Sequence, residues 1–356
     1  MRNLKEIVRL TQTDPILSTY APDCMLLSSI LKEETAIDWM LNHYVQIVGY
    51  NFAADGYEYL APIFISTPYF CPDTPIYRIN IWDICPFIHK YSINREMMYR
   101  NFSSFTDFAI EFLDKGYYLI FHINREFIGR GSFMHICYAT GYDRINKKMY
   151  VSDHFDNNQY TNIAVNFDDI NNAFSELIPN QRNEKDDYDN MTEFEGKIFL
   201  VKTRKFNYKF EYSLLHLYID DYLNSKNSIT GFAPKKEVYG LRCYDVLDDY
   251  LKSLIANNVE TSKDPRIFTF FRDHKKVMRM RYEYLINNRR VEDQTEHINL
   301  FYENEKKSQQ SLMLFIKYMN NKDTNNIVKI KKTYNEIKDN EIRALHNLQN
   351  QLQKLL

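Results

Sequence analysis

The chain has little of what would place it outside the globular, intracellular classes. Among 356 residues there are only 9 glycines and 10 prolines, too few for a low-complexity or linker-dominated architecture. No stretch approaches 18 uninterrupted apolar residues, and the N-terminal MRNLKEIVRLTQTD scatters charges where a secretory segment needs an apolar core. Forty-five basic residues balance 47 acidic ones for a net charge of −2, so no global field draws the chain to nucleic acid or to an anionic membrane. The five cysteines, Cys24, Cys71, Cys85, Cys137 and Cys243, are odd in number, widely spaced and form no CxxC pair. That excludes a disulfide framework and a thiolate zinc site, and leaves free thiols in a reducing compartment. No HExxH, GxGxxG or Walker-type GxxxxGK[ST] pattern occurs, and GRGS at 129–132 is too short to cradle a nucleotide. The expectation is a soluble cytoplasmic protein without a nucleotide or catalytic zinc.

What is present is aromatic: 28 Tyr and 24 Phe help bring the aromatic share to 15%. A chain of this length buries a large core and is expected to form two domains. Strand-like runs dominate residues 117–202, and helical periodicity dominates 208–224, 241–258, 264–290, 293–320 and 323–356. The expected division is residues 1–203 and 204–356, the second an antiparallel helical bundle, with a coiled-coil dimerisation arm as the minority reading. In its last segment Val328, Ile330, Tyr334, Ile337, Ile342, Leu345, Leu348, Leu352 and Leu355 approximate one stripe. The polar stretch 180–195 reads as a linker or exposed loop, and the Pro-punctuated 57–87 as short strands and loops that wall a cleft. Ser103 or Ser104 opens a helix that Gly116 stops, a second helical pattern runs from Ala36 to Gly49, and Asp168 or Asp169 caps a short helix.

The chemistry-bearing stretch is GSFMHICYATGYDRINKKMYVSDHF, residues 131–155. It reads as two strands around a turn supplied by Gly141, Asp143 and Asn146, with His135 early in the first strand and Asp153 at the end of the second. A hairpin of this kind sets an imidazole beside a carboxylate, which fixes the histidine tautomer and raises its basicity for a Cys or Ser nucleophile. The nucleophile candidate is Cys24. Pro22 suits a helix's first turn, Asp23 is the expected N-cap, and Met25, Leu26, Leu27, Ile30 and Leu31 give a buried helical face. A cysteine at a helix start meets unpaired N–H groups and the positive end of the dipole, which stabilise a thiolate and can serve as oxyanion donors. A buried free cysteine is ordinarily a small hydrophobe. It is the order Cys24, His135, Asp153, on a helix start and two later strands, that turns the balance toward catalysis.

Rival candidates remain. Cys137 shares a strand face with His135 but lacks helix-terminal activation, and it reads as packing, as do Cys71, Cys85 and Cys243. His154 adjoins Asp153, and strand alternation sends only one of the two into a given site. His122 reads as a core or supporting residue. His43 and His89 have no acid or thiol at metal-ligand spacing, and His216, His274, His297 and His346 fall on helix faces.

The segments LDKGYYLIFHI, MHICYATGYDRINKKMYVSDHFDN and FDDINNAF, with APDCMLLSSIL upstream, resemble the BtrH-like papain-fold proteins, relatives of the bacteriocin double-glycine leader peptidases. The resemblance covers residues 14–178, and HxxxxxGYD…YVSD is its strongest piece. It implies an α+β, papain-like cysteine-protease fold: an antiparallel sheet with an N-terminal nucleophile helix, then a mostly helical C-terminal region. Members include acyltransferases of antibiotic biosynthesis that move an acyl group from a carrier-protein thioester to an amine. The implied roles are nucleophile for Cys24, base then acid for His135, and orienting carboxylate for Asp153. The implied partners are an acyl or peptidyl carrier protein, which brings its own phosphopantetheine, and a small amine; no intrinsic cofactor is implied. The family's glutamine a few residues before the cysteine has no counterpart at that spacing, since the only upstream glutamine is Gln12, twelve positions away. A peptidase or thioesterase of the same fold, and a non-catalytic binding protein retaining the fold, are the alternatives.

Overall fold

The computed structural model describes residues 5–50, 61–65, 81–131, 133–155, 159–176, 196–228, 237–256, 261–288, 290–292 and 295–356. Cys71, the 180–195 stretch and most of the expected cleft wall lie outside these. The chain divides into two compact units: residues 1–36 with 82–207, and residues 37–81 with 208–356. The second thus takes residues 37–81 from the N-terminal part as well as the helical region.

The first unit is α+β. Its elements in chain order are β1 (Ile7–Arg9), α1 (Ala21–Ile30), β2 (Ile88–Asn94), α2 (Arg95–Asn101), α3 (Phe105–Asp114), β3 (Tyr118–Asn124), β4 (Met134–Asp143), β5 (Lys148–His154), β6 (Tyr160–Asn166), α4 (Phe167–Ser175) and β7 (Lys197–Thr203). The strands form one antiparallel sheet in the order β2-β7-β3-β4-β5-β6, with β1 pairing the far half of β4. A single edge of β4 is shared end to end: residues 134–139 pair with β3, and 141–143 with β1. Phe121, Ile123, Cys137, Ala139 and Val151 alternate into a core with Phe105, Phe108 and Leu113 of α3 and Ile170 and Phe174 of α4. Ser104 caps α3 by accepting from Asp107 N–H at 3.1 Å, as its sequence suggests.

Three local expectations are corrected. Gly141 does not belong to the turn but to β4, beside a register shift, because the β1 backbone passes so close that a Cβ there would sit 2.3 Å from the Val8 carbonyl oxygen. The turn is built by Asp143, whose carboxylate accepts from the Asn146 N–H at 2.9 Å and its side-chain amide at 2.8 Å. Asp168 and Asp169 lie in the first turn of α4, whose N-cap is Asn166. The helical pattern from Ala36 stops at His43, and Val48–Tyr50 is instead the central strand of a small sheet between Glu237–Tyr239 and Phe64–Ile65. The β-branched Val45, Ile47 and Val48 favour extended backbone, and two ladders satisfy it.

The second unit carries helices Tyr212–Leu223, Cys243–Ile255, Arg266–Asn287, Thr295–Asn321 and Thr324–Gln353. The last three run antiparallel in turn: Arg279 pairs with Glu305 while Glu283 accepts from Tyr302, and Arg343 meets Glu296 while Lys307 meets Glu336. The stripe of the last helix is buried at Ile327, Ile330, Tyr334, Ile337, Leu345, Leu348 and Leu352, while Val328 and Leu355 are exposed. Glu341 occupies an interior position in that stripe and pairs with Lys275. Among the described residues, no helix is long and apolar enough to cross a membrane.

Candidate active site

Helix α1 begins three residues earlier than its cysteine. Tyr20 is the N-cap in an extended conformation, and Pro22 sits in the first turn, where its missing N–H costs nothing. Asp23 is therefore a first-turn acid beside the positive helix end, not the cap. Cys24 follows it, with its own N–H already donated to the Tyr20 carbonyl at 3.1 Å. That amide is therefore not one of the groups left over at the helix start. The Cys24 side chain is 0% exposed, and its Sγ–H donates to the Leu17 carbonyl at 3.3 Å.

The hairpin brings its imidazole and carboxylate into contact. His135 Nδ1 lies 2.7 Å from Asp153 Oδ2 across an 18-residue separation. With Nδ1–H donating to the carboxylate, the Nε2 lone pair is left for a proton acceptor's role. Asp153 is fully buried, and its other oxygen accepts from the His154 N–H at 2.7 Å. A third charged group completes the cluster. Arg125, in the turn after β3 and 4% exposed, places Nη1 3.8 Å from Asp153 Oδ2 and donates from Nη2 to the His154 carbonyl at 2.8 Å. Its guanidinium lies over Phe133 at 4.7 Å and Phe155 at 5.0 Å from the ring centres. Phe133 in turn sets its ring edge-on to His135 at 5.8 Å.

The segment that leads into the cysteine is tied to the same strand ends. Cross-strand pairing places His154 opposite Tyr160 and Tyr138 opposite Ser152. His154 Nε2 meets the Ser18 carbonyl at 2.8 Å, next to the Leu17 carbonyl that holds the thiol. Burial pushes the His154 imidazole below its ordinary range, keeping it neutral and able to donate there. Burial also raises the Tyr160 phenol, and the neighbouring Cys24 adds to that rise. Gln12 lies one helical turn beyond Cys24. Its Oε1 accepts from Ser152 Oγ at 2.9 Å and Asn162 Nδ2 at 3.3 Å, while its Nε2 approaches Ser28 Oγ at 3.2 Å and Tyr160 Oη at 3.4 Å. Thr13 adds its N–H to the Ser28 carbonyl at 2.8 Å. Sequence spacing alone sets Gln12 far from the cysteine, but the approach strand folds back along α1 and brings it near.

Cys85, Cys137 and Cys243 lie in the interior. Burial, with Asp153 adding to it, raises the Cys137 thiol well above its ordinary value, and burial pushes Cys85 up to about 12. Cys243 is likewise raised by burial and donates to the Val238 carbonyl at 3.4 Å. His122 is buried on β3. Among the described residues, no group of three or more His, Cys, Asp or Glu is arranged to hold a metal ion. Sequence reasoning missed Arg125, Tyr160 and the hold that His154 has on Ser18. Arg125 has no local partner in the sequence, and its link to Asp153 spans 28 positions. The period-2 alternation of β5 and β6 was the signal available for Tyr160. No protein-family model matches the chain, and no curated protein matches it.

Proposed function

We propose that the chain is a cysteine-dependent acyltransferase with a papain-like arrangement, making an amide from a carrier-protein thioester and a small amine in thiotemplated natural-product assembly. The observation that carries this reading is the 2.7 Å His135–Asp153 contact at strand ends that also hold the segment touching Cys24. His135 takes the Cys24 proton, the resulting thiolate attacks the thioester carbonyl, and collapse of the tetrahedral adduct expels the phosphopantetheine sulfur of the carrier, which leaves as a thiol with that proton. The amine then attacks the acyl-enzyme. His135 Nε2 takes its proton and returns one to the departing Cys24 sulfur, while Asp153 steadies the imidazolium. The exchange of thioester for thioester is near neutral, so no nucleotide is called for. Catalysis in the cytoplasm fits the free thiols.

A second reading has its own observation. Cys24 is fully buried with its thiol engaged by Leu17, the setting of a structural cysteine in a non-catalytic binding protein. The deciding experiment incubates the protein with acyl-carrier thioesters and amines and follows intact mass. Acyl transfer predicts a Cys24 adduct discharged to amide by the amine. Discharge mainly to water gives instead the peptidase or thioesterase reading. Product formation at an undiminished rate by Cys24→Ala, or no alkylation of Cys24 by iodoacetamide near neutral pH, refutes catalysis through this thiol.

A further inference from the structure

The buried guanidinium of Arg125 is not needed by the steps above, yet it sits against the oxygen that they use. Asp153 Oδ2 accepts from His135 Nδ1 at 2.7 Å and faces Arg125 Nη1 at 3.8 Å. Two cationic partners, one permanent and one present only when His135 is protonated, thus address a single carboxylate oxygen. The Arg125 backbone is pinned for this: its N–H donates to the Phe133 carbonyl at 3.1 Å, its carbonyl accepts from Arg130 N–H at 3.0 Å, and Asn124 Oδ1 caps the short turn through Glu126 N–H at 3.1 Å. Phe133 and Phe155 cover the guanidinium on their faces, which limits solvent screening of its charge.

We propose that Arg125 is a positioning residue that holds the Asp153 carboxylate against His135, its fixed positive charge opposing a second one on that imidazole. The role rests on the acyl-transfer reading for its purpose, because there His135 must give back the proton that it takes from the amine. The other charged or titratable groups around the cluster are few. His154 places Nδ1 3.9 Å from the opposite Asp153 oxygen, Cys137 lies on β4 beneath, and His122 is on β3. Tyr160 lies on β6 and Cys24 on α1, next to one another. The turn itself carries Glu126 and Arg130. Helix α4, packed behind it, buries Ile170 and Phe174 and carries Asp168 and Asp169 in its first turn.

The test follows the His135 Cε1–H resonance against pH in the full-length protein. Without Arg125, one fewer positive charge opposes protonation of an imidazole no more than about 7 Å away, a change worth on the order of one pH unit at an effective dielectric of about 40. Arg125→Gln is therefore expected to move the His135 titration to higher pH by about that amount, about tenfold in proton affinity, and Arg125→Lys to restore most of it. Phe133→Leu, at a half-exposed position, is expected to move it in the same direction by less, because water then screens the guanidinium. It also gives an answer if Arg125→Gln does not fold. Titration at the unsubstituted position in every folded variant overturns the proposal. Acylation of Cys24, scored separately by mass, decides the acyl-transfer reading, so the two can fail independently.

Discussion

Removing the charge of Glu341 should cost the second unit more stability than any other single conservative change. Glu341 and Lys275 are each 1% exposed, and both carboxylate oxygens meet Lys275 Nζ, at 2.7 and 2.8 Å. Oε2 also accepts from the Tyr222 and Tyr244 hydroxyls at 2.7 Å each. The ammonium lies beside His274 Nδ1 at 3.0 Å and over the rings of Tyr222, Tyr244 and Phe271 at 5.2–5.8 Å. Burial lowers the Lys275 ammonium from its ordinary range, and the Glu341 charge is what opposes that fall. Glu341→Gln keeps the shape but leaves a buried ammonium facing neutral dipoles only, at a cost of about 3–5 kcal/mol. The double variant Lys275→Met, Glu341→Leu removes both charges and leaves two tyrosine hydroxyls without their acceptor, each worth about 1–3 kcal/mol. It should therefore cost about 2–6 kcal/mol, a range that overlaps that of the single variant despite the loss of every charged contact. Urea unfolding of the full chain measures both. A Glu341→Gln loss under about 1 kcal/mol, with the denaturant slope unchanged, would refute the claim that the ammonium is isolated from water.

Two further outcomes follow from particular residues. Burial holds the His43 imidazole down at about 4, among Trp39, Tyr208 and Tyr218. The unfolded chain binds a proton near pH 6.5 that the folded one refuses, so stability is complete above that pH. It is lost as pH falls toward 4, by about 3 kcal/mol in all. Urea midpoints across that window should fall steeply, and less so in His43→Gln; equal slopes would reject the assignment. Gly141→Ala sets a methyl 2.3 Å from the Val8 carbonyl oxygen and 3.0 Å from Arg9 Cα. Because the obstacle is backbone, the change is expected to cost about 1–3 kcal/mol and to loosen β1, read as faster amide exchange at residues 141–143; unchanged exchange would contradict it.

Much of this is legible in the sequence alone. The alternation in β3, β4 and β5 and the three- and four-residue periodicity after residue 208 define their elements locally, and Ser104 and Gly116 mark the ends of α3 by backbone chemistry alone. His135 and Asp153 were legible for the same reason, since a hairpin converts nearness in sequence into nearness in space. What stayed hidden depends on partners far along the chain. Val48 and Gly49 continue a helical pattern and become a strand only because residues 64–65 and 237–239 flank them. Glu341 breaks a hydrophobic stripe in a way that makes sense only beside Lys275. Arg125 has no mark in the sequence, and the spacing of Gln12 argues against it, because each acquires its neighbours from the fold rather than from spacing.

The three residues of β1 carry more than their length suggests. The chain leaves Val8 and Arg9, donates Leu10 N–H to Thr140 on β4, laces Gln12 and Thr13 to Ser28, and offers the Leu17 and Ser18 carbonyls to Cys24 and His154 before α1 begins. This run is a strap, buckled at one end to the sheet and at the other to the thiol. Its fastenings reach partners far along the chain, with Val8 in the core of the sheet, Thr11 accepting from the Tyr118 hydroxyl and Gln12 from Ser152, so that uncovering Cys24 means undoing contacts to the sheet and not to α1 alone.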